Sequence, residues 1–150
     1  NYLFIVSLFS VAAMGQTNFS GTWKLNNSKS TLGDQFSMAP NDIIIVQDGN
    51  SFNVERHSTF QDRDITTKDK LTLDGKECEN PGWRDSIKKS TAEWSSDKKS
   101  INVVTKIPFG DSDEMKVVNV YKLDGENLVL KTDASSSRGD MSETYVFDKQ

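Results

Sequence analysis

The fold assignment depends on residues 18–26, which read N-F-S-G-T-W-K-L-N. This is the first polar stretch after an apolar leader, and it places Gly21, Thr22 and Trp23 at the start of an extended run. A glycine and a tryptophan this close together are common by chance. The triplet therefore gains meaning only from the sequence on either side of it.

The leader itself, residues 1–15, carries no charged side chain. Residues 3–11 are apolar apart from two serines, and Ala13-Met14-Gly15 has the small-x-small pattern of a signal-peptidase site. The segment is too short for a transmembrane helix, and the alternative is an apolar first strand or helix of the fold. We expect an N-terminally incomplete signal peptide over residues 1–15 and a single domain over residues 16–150. With no cysteine at the cleavage site, this predicts a secreted or periplasmic protein without a lipid anchor.

The composition is that of one globular domain, with 35% hydrophobic and 27% charged residues and a net charge of -4. An acidic balance argues against DNA or RNA binding, which requires clustered Lys and Arg. We interpret the pairs Lys88-Lys89 and Lys98-Lys99 as solvated strand ends. Cys78 is the only cysteine, so an internal disulfide is excluded. We expect no cofactor, no metal and a monomer.

Period-two alternation dominates the rest of the chain and predicts an all-β protein. Asp48-Gly49, Asp74-Gly75 and Asp124-Gly125 are favoured hairpin turns, so strands adjacent in sequence are expected to be adjacent in the sheet. An up-and-down antiparallel β-barrel of about eight to ten strands buries one face and hides both edges. The predicted strands are at about 19–26, 42–47, 51–59, 64–73, 76–79, 86–94, 100–107, 114–123, 127–134 and 141–148.

The alternation also predicts which side chains face the interior. Most are apolar, but Arg56, Asp69, Asn119 and Glu143 fall on the same side as the apolar stripe. Burying an unpaired charge is costly. The barrel is therefore expected either to hold a hydrated cavity or to be filled and to contain structural salt bridges.

The opening stretch resembles two families of ligand-binding barrels. Phe19 and residues 21–25 are similar to the Gly-x-Trp signature of lipocalins and to the start of intracellular fatty-acid-binding proteins, both in the calycin group. Residues 57–60 and Thr144-Tyr145 also look like fatty-acid-binding-protein positions, and the whole pattern most resembles bacterial secreted lipocalin-like domains. The resemblance implies that Trp23 plugs the closed end of the barrel and that Gly21 lets another segment approach.

Two departures from fatty-acid-binding proteins affect the expected ligand. That family has two helices after the first strand, and residues 26–42 are too few to form them. It also holds the fatty-acid carboxylate through Arg-x-Tyr on the last strand, where this chain has Glu143-Thr144-Tyr145. Arg56 is a possible substitute cation from another strand, and a neutral or cationic apolar ligand is an equal alternative.

We therefore predict a non-catalytic lipid-binding type of protein that holds a small apolar or amphipathic molecule in its lumen. Arg56 would orient the polar head group, and Tyr145 would donate a hydrogen bond to it. The predicted lining residues are Phe52, Val54, Arg56, Phe60, Leu71, Val103, Val117, Tyr121, Leu130 and Tyr145.

Two other function classes stay open. A filled barrel could act as a protein-interaction module through loops 29–41 and 80–85, with Trp83 as its anchor. An enzyme could use Asp69 and Glu143 as a carboxylate pair for acid and base catalysis. His57, the only histidine, is expected on the outer surface, opposite to the apolar stripe of its strand.

Overall fold

The computed structural model describes residues 15–150, so the predicted signal peptide lies outside the described residues except for Gly15. Among residues 15–150 there is no helix that could cross a membrane. The described chain forms ten strands: β1 (Gly21–Leu25), β2 (Asp42–Asp48), β3 (Ser51–Phe60), β4 (Arg63–Thr72), β5 (Cys78–Pro81), β6 (Ile87–Trp94), β7 (Ser100–Phe109), β8 (Asp113–Asp124), β9 (Asn127–Ser136) and β10 (Gly139–Lys149).

The strands form one antiparallel sheet in the order β4-β3-β2-β1-β10-β9-β8-β7-β6-β5. Every strand except the two at the ends pairs with two neighbours, and β1 joins β10 through the register Trp23 to Lys149. The edges β4 and β5 meet, which nearly closes the sheet into a barrel. The predicted up-and-down antiparallel barrel is confirmed. The turns at Gly49 and Gly125 have positive φ angles of 57° and 59°, as Asp-Gly hairpins require. The predicted hairpin at Asp74-Gly75 is wrong: β4 and β5 share no ladder, and Asp74 and Gly75 bond to Glu93 and Ala92 of β6 instead.

Two ends of the barrel can be distinguished by their connections. The short turn at residues 48–51 marks the end that we call the closed end, where Phe19 also packs. Residues 26–41, which join β1 to β2 and which we call the cap loop, lie at the opposite, open end. The connections between β3 and β4 and between β5 and β6 lie at this open end as well.

Aromatic side chains fill the closed half of the barrel. Phe52 packs edge-on against Tyr121 with ring centroids 5.3 Å apart, and Phe19 packs against both Phe52 and Trp94 at 6.2 Å. Trp23 is buried beside them. The interior is therefore a packed core in this half.

Trp23 is held by contacts at the closed end. Its indole N–H donates to the Phe19 carbonyl oxygen at 3.0 Å, and the Lys149 ammonium lies 5.6 Å from its ring centroid. Gly21 has a φ of 152°, and a Cβ atom there would lie 3.3 Å from Lys149 Cε and 3.4 Å from Trp23 Nε1. Only glycine combines this φ with such a close approach.

The junction of β4 and β5 lacks a regular hydrogen-bond ladder. The Asn80 side chain bridges it by accepting from the Lys70 N–H at 2.9 Å and donating to the Lys70 carbonyl at 3.2 Å. Closer to the lumen, Lys88 Nζ lies 2.7 Å from Asp69 Oδ1. The interpretation of Lys88 as a solvated strand end is therefore wrong. Lys88 precedes the buried Ser90 and Ala92 by two and four residues, and strand alternation directs all three side chains inward.

Candidate ligand-binding lumen

Arg56 crosses the interior of the barrel. It lies on β3, and Tyr121 lies on β8, which is five positions away in the order of ten strands and hence on the opposite wall. Arg56 Nη2 donates to the Tyr121 hydroxyl at 2.8 Å. Arg56 Nε is buried and has no hydrogen-bond partner within residues 15–150. A buried donor of a half-buried cation is therefore left unused in the lumen.

The electrostatic surroundings keep the guanidinium charged. Burial lowers the pKa of Arg56, but its contact with the Tyr121 hydroxyl and the nearby charge of Asp69 outweigh this effect, so the pKa is raised. Asp69 itself is close enough to Lys88 to form an ion pair. The angles at Asp69 Oδ1 do not, however, fit a hydrogen bond. The Arg56 charge therefore has no carboxylate in direct contact among the described residues.

Other polar side chains lie on the inner face at the middle of the barrel. Ser90 and Thr105 hydroxyls are 2.8 Å apart, and Thr132 donates to Asn119 at 2.6 Å. All four residues are buried. Together with the charged groups they form a set that we call the polar belt: Arg56, Asp69, Lys88, Ser90, Thr105, Asn119 and Thr132.

Between the polar belt and the open end, the inward stripe of β3 and β4 becomes accessible. Ser58 and Thr67 are half-buried, whereas Phe60 is 48% exposed and Ile65 is 42% exposed. The same stripe is fully buried at the closed end, where Phe52 is opposite Leu71. The side chains of this stripe are thus buried on the closed side of the belt and become partly or largely exposed toward the open end.

Glu143 belongs to the attachment of the cap loop. One oxygen accepts hydrogen bonds from the Gly33 N–H at 2.9 Å and the Ser37 hydroxyl at 2.6 Å, and the other accepts from the Met38 N–H at 2.8 Å. The Tyr145 hydroxyl donates to that second oxygen at 2.8 Å. Four donors thus satisfy this carboxylate, which is 2% exposed.

These contacts also set the protonation of the pair. Burial raises the pKa of Glu143, but the hydrogen bonds from Ser37, Gly33, Met38 and Tyr145 outweigh it and leave the pKa below its ordinary value. Burial and the bond to Glu143 raise the pKa of Tyr145. The carboxylate is therefore ionised and the phenol neutral at physiological pH.

The structure brings most of the predicted lining residues together inside the barrel. Phe60 lies at the open rim, and the Arg56 guanidinium spans the lumen. Val117 is buried outside the main apolar cluster. The other predicted lining residues belong to that cluster, which packs mostly in the closed half: Phe52, Val54, Leu71, Val103, Tyr121, Leu130 and Tyr145.

His57 faces the outer surface, as expected. Its Nε2 lies 2.8 Å from Glu55 and its Nδ1 contacts Asp42. The hydrogen bonds to Glu55 and Asp42 raise the pKa of His57. His57 is therefore a surface contact between β2 and β3 and does not reach the lumen.

The carboxylates Asp69 and Glu143 do not form a pair. Asp69 contacts Lys88, and both oxygens of Glu143 contact the cap loop. Within residues 15–150, no group of three His, Cys, Asp or Glu side chains could hold a metal ion.

Loop 80–85 borders a separate cleft on the outside. This cleft, of about 430 Å³, is lined by Asn80, Arg84 and Ile87 among others, and Trp83 beside it is 62% exposed. It is one of the two surfaces of the protein-interaction alternative; the other is loop 29–41, where Phe36 is exposed.

Three solved structures have the same architecture. A secretory abundant heat soluble protein from Ramazzottius varieornatus superposes with a TM-score of 0.67 at 14% identity, covering 91% of this chain and 97% of that one. This chain therefore shares the barrel fold of that protein. Zebrafish ileal bile acid-binding protein in complex with cholic acid superposes with a TM-score of 0.58 at 16% identity, covering 88% of this chain and 98% of that one. Caenorhabditis elegans lipid binding protein 8 superposes with a TM-score of 0.60 at 15% identity, covering 88% of this chain and 95% of that one.

These likenesses establish the fold alone, and they confirm the resemblance that the opening stretch suggested. No protein-family model and no curated protein matches the sequence. None of the three names denotes an enzyme, and two refer to the bile acid or lipid that those proteins bind.

Several residues of the site were missed from the sequence. Asn80 and Lys88 close the junction of β4 and β5, and Gly33, Ser37 and Met38 hold Glu143. Alternation along β6 could have identified Lys88. The cap-loop donors lie in an irregular segment, for which sequence periodicity gives no signal.

Proposed function

We propose that this protein is an exported, non-catalytic carrier that holds a small apolar or amphipathic molecule in the open half of its lumen, between the polar belt and the cap loop. The observation that carries the proposal is the unused, buried Nε donor of Arg56. Buried polar groups are normally satisfied, and ligand pockets typically combine apolar walls with a few such groups. A polar head group against Arg56 would complete its hydrogen bonding.

The walls of the open half suit an apolar tail. Phe60 and Ile65 line the accessible rim, and Val117 lies deeper on the opposite wall. The lipid- and bile-acid-binding proteins with the same fold support this assignment. Export is proposed from the apolar leader of the sequence.

The acidic last strand does not oppose an anionic head group. Glu143 stands where fatty-acid-binding proteins have the arginine of their Arg-x-Tyr pattern. Its negative charge is already satisfied by four hydrogen-bond donors. The Tyr145 hydroxyl hydrogen is engaged with it as well. Of the two head-group contacts predicted from the sequence, Arg56 is the one that retains a free donor.

Two dyes test this proposal directly. 1-Anilinonaphthalene-8-sulfonate carries an anionic head, and N-phenyl-1-naphthylamine is a neutral relative of similar shape. We expect both to bind the native protein with enhanced fluorescence. Arg56→Met should weaken the sulfonate dye at least tenfold, the loss of one charge-assisted hydrogen bond, and the neutral dye much less. Arg63→Met, which replaces an exposed arginine at the start of β4, is the matched control.

Native mass spectrometry of the protein with an extract of cellular lipids would then identify the natural ligand class. A retained adduct that is lost in Arg56→Met would support the lumen site. If neither dye binds the native protein and no adduct is retained, the proposal fails. The filled barrel with a protein partner at Trp83 would then replace it.

A further inference from the structure

The edge of β4 carries unused backbone groups. Neighbouring residues of a strand direct their backbone N–H and C=O groups to alternate sides. Both backbone groups of Lys70 bond to Asn80, which lies on the β5 side. Asp64, Thr66 and Lys68 share the parity of Lys70, so their groups point to the same side. No hydrogen bond reaches them from any residue of the described chain.

The neighbouring segment makes no backbone hydrogen bond to Asp64, Thr66 or Lys68. β5 ends at Pro81, and the connection to β6 is closed by its own hydrogen bonds, from Gly82 to Ser86 and from Ser86 to Trp83. Residues 63–66 and Lys68 are exposed. An exposed strand edge is a template for another strand.

The side chains along this edge are complementary to themselves. In an antiparallel pairing of two β4 strands about a two-fold axis at Thr66, Asp64 lies opposite Lys68 of the second copy, and Lys68 lies opposite its Asp64. Lys70 marks the limit of this register, because its edge groups already bond to Asn80. A two-fold interface repeats each contact, so two opposite-charge pairs result.

This register also satisfies the backbone. Asp64, Thr66 and Lys68 are the residues whose free groups point outward, and pairing about Thr66 places them opposite one another. Moving the axis to Asp64 or to Lys68 would place that residue opposite its own copy, and like charges directly opposite are destabilising. A protective edge usually carries charges that repel every partner, whereas this one favours a single register.

We propose that two copies of this chain associate through antiparallel pairing of their β4 edges, centred on Thr66. The expectation from the sequence is a monomer, and the unpaired edge is the feature that leads to the opposite proposal. Within each copy, Glu55 of β3 is opposite Lys68. Lys68 would thus lie between Glu55 and Asp64 of the second copy. The lumen site plays no part in this association, so either proposal can fail without the other.

Charge exchange tests the register. Analytical ultracentrifugation of the purified protein at low ionic strength should show a reversible dimer. D64K and K68D each turn two attractive pairs into repulsive ones, and each should weaken the dimer about tenfold or more. An equimolar mixture of the two variants pairs opposite charges again and should re-form a dimer, as should the double variant D64K/K68D. K131D, on the exposed face of β9, is the matched control and should leave the dimer unchanged.

Hydrogen exchange gives a second readout. The amides of Asp64, Thr66 and Lys68 should become protected as protein concentration rises, whereas Ile65 and Thr67, whose amides face β3, should not change. A monomer at all concentrations would overturn the proposal. So would a dimer that both single variants leave intact, or a mixture of folded variants, verified by circular dichroism, that does not re-associate.

Discussion

Replacing Glu143 by glutamine is expected to detach the cap loop from the open end of the barrel. The carboxylate accepts hydrogen bonds from Gly33, Ser37 and Met38, which lie within six residues of one another in a loop without regular structure. Ser30 and Thr31 attach the start of the loop to Val146 and Thr144 of β10, and the Glu143 bonds attach the following residues 33–38. Glu143→Gln keeps the size of the side chain and removes its charge.

The magnitude follows from the donors that glutamine can still serve. Its carbonyl oxygen can accept from Met38 and Tyr145, but these become neutral hydrogen bonds, which are about half as strong as charge-assisted ones. Its amide group would face the Gly33 N–H and the Ser37 hydroxyl. The hydroxyl can turn to accept, whereas the Gly33 bond is lost. Hydrogen bonds to charged groups contribute about 1.5–3 kcal/mol each, so we expect a total loss of about 2–3 kcal/mol.

Urea unfolding at neutral pH measures this loss, and its pH dependence tests the cause. The folded-state pKa of Glu143 is lowered, so its contribution is present above the unfolded-state pKa of about 4.3 and disappears as the pH falls through the folded-state value. The difference between the native protein and the variant should therefore shrink below about pH 4. Glu126→Gln, in the exposed turn after β8, is the control. Equal midpoints for Glu143→Gln and the native protein at pH 7 would refute the reasoning.

Three further changes have defined outcomes. His57 has a raised pKa, so its contact with Glu55 stabilises the fold below the unfolded-state pKa of about 6.5 and this contribution is lost as the pH rises through the folded-state value. The urea midpoint of the native protein should therefore fall over this pH range, and that of His57→Gln should fall less. Asn80→Leu should leave the backbone groups of Lys70 without partners and lower the free energy of unfolding by about 1–3 kcal/mol. Hydrogen exchange at the Lys70 amide should become faster, and an unchanged exchange rate would contradict the bridge between Asn80 and Lys70. Arg56→Met should remove the partner of the Tyr121 hydroxyl and cost only about 1 kcal/mol, while it weakens the sulfonate dye. A loss of several kcal/mol in urea unfolding would show that the guanidinium is mainly structural.

The fold could be predicted from the sequence because its signals are local. Asp-Gly turns at Gly49 and Gly125 fix which strands are neighbours, and period-two alternation fixes which side chains face inward. The same alternation identifies Arg56 and Glu143 as interior charges. These features depend only on residues close in sequence.

The partners of the interior charges could not be predicted, because they depend on the geometry of closure. Arg56 meets Tyr121 only because β3 and β8 lie on opposite walls of a ten-stranded barrel. A barrel with another strand number would place different residues opposite each other. Lys88 resembles a solvated residue in the sequence because it stands next to Lys89, although strand alternation directs the two side chains to opposite faces.

Arg56 and Glu143 give the same signal in the sequence, and their different surroundings indicate different roles. Each is a charge on an apolar stripe, where an unpaired charge would destabilise the fold. Glu143 has four donors from its surroundings, so a ligand could gain little by contacting it. Arg56 has one partner hydroxyl and an unused Nε. A buried donor without a partner costs stability, and a ligand that accepts a hydrogen bond from it would recover that cost. The two charges thus separate a structural attachment from the proposed binding site within the same barrel.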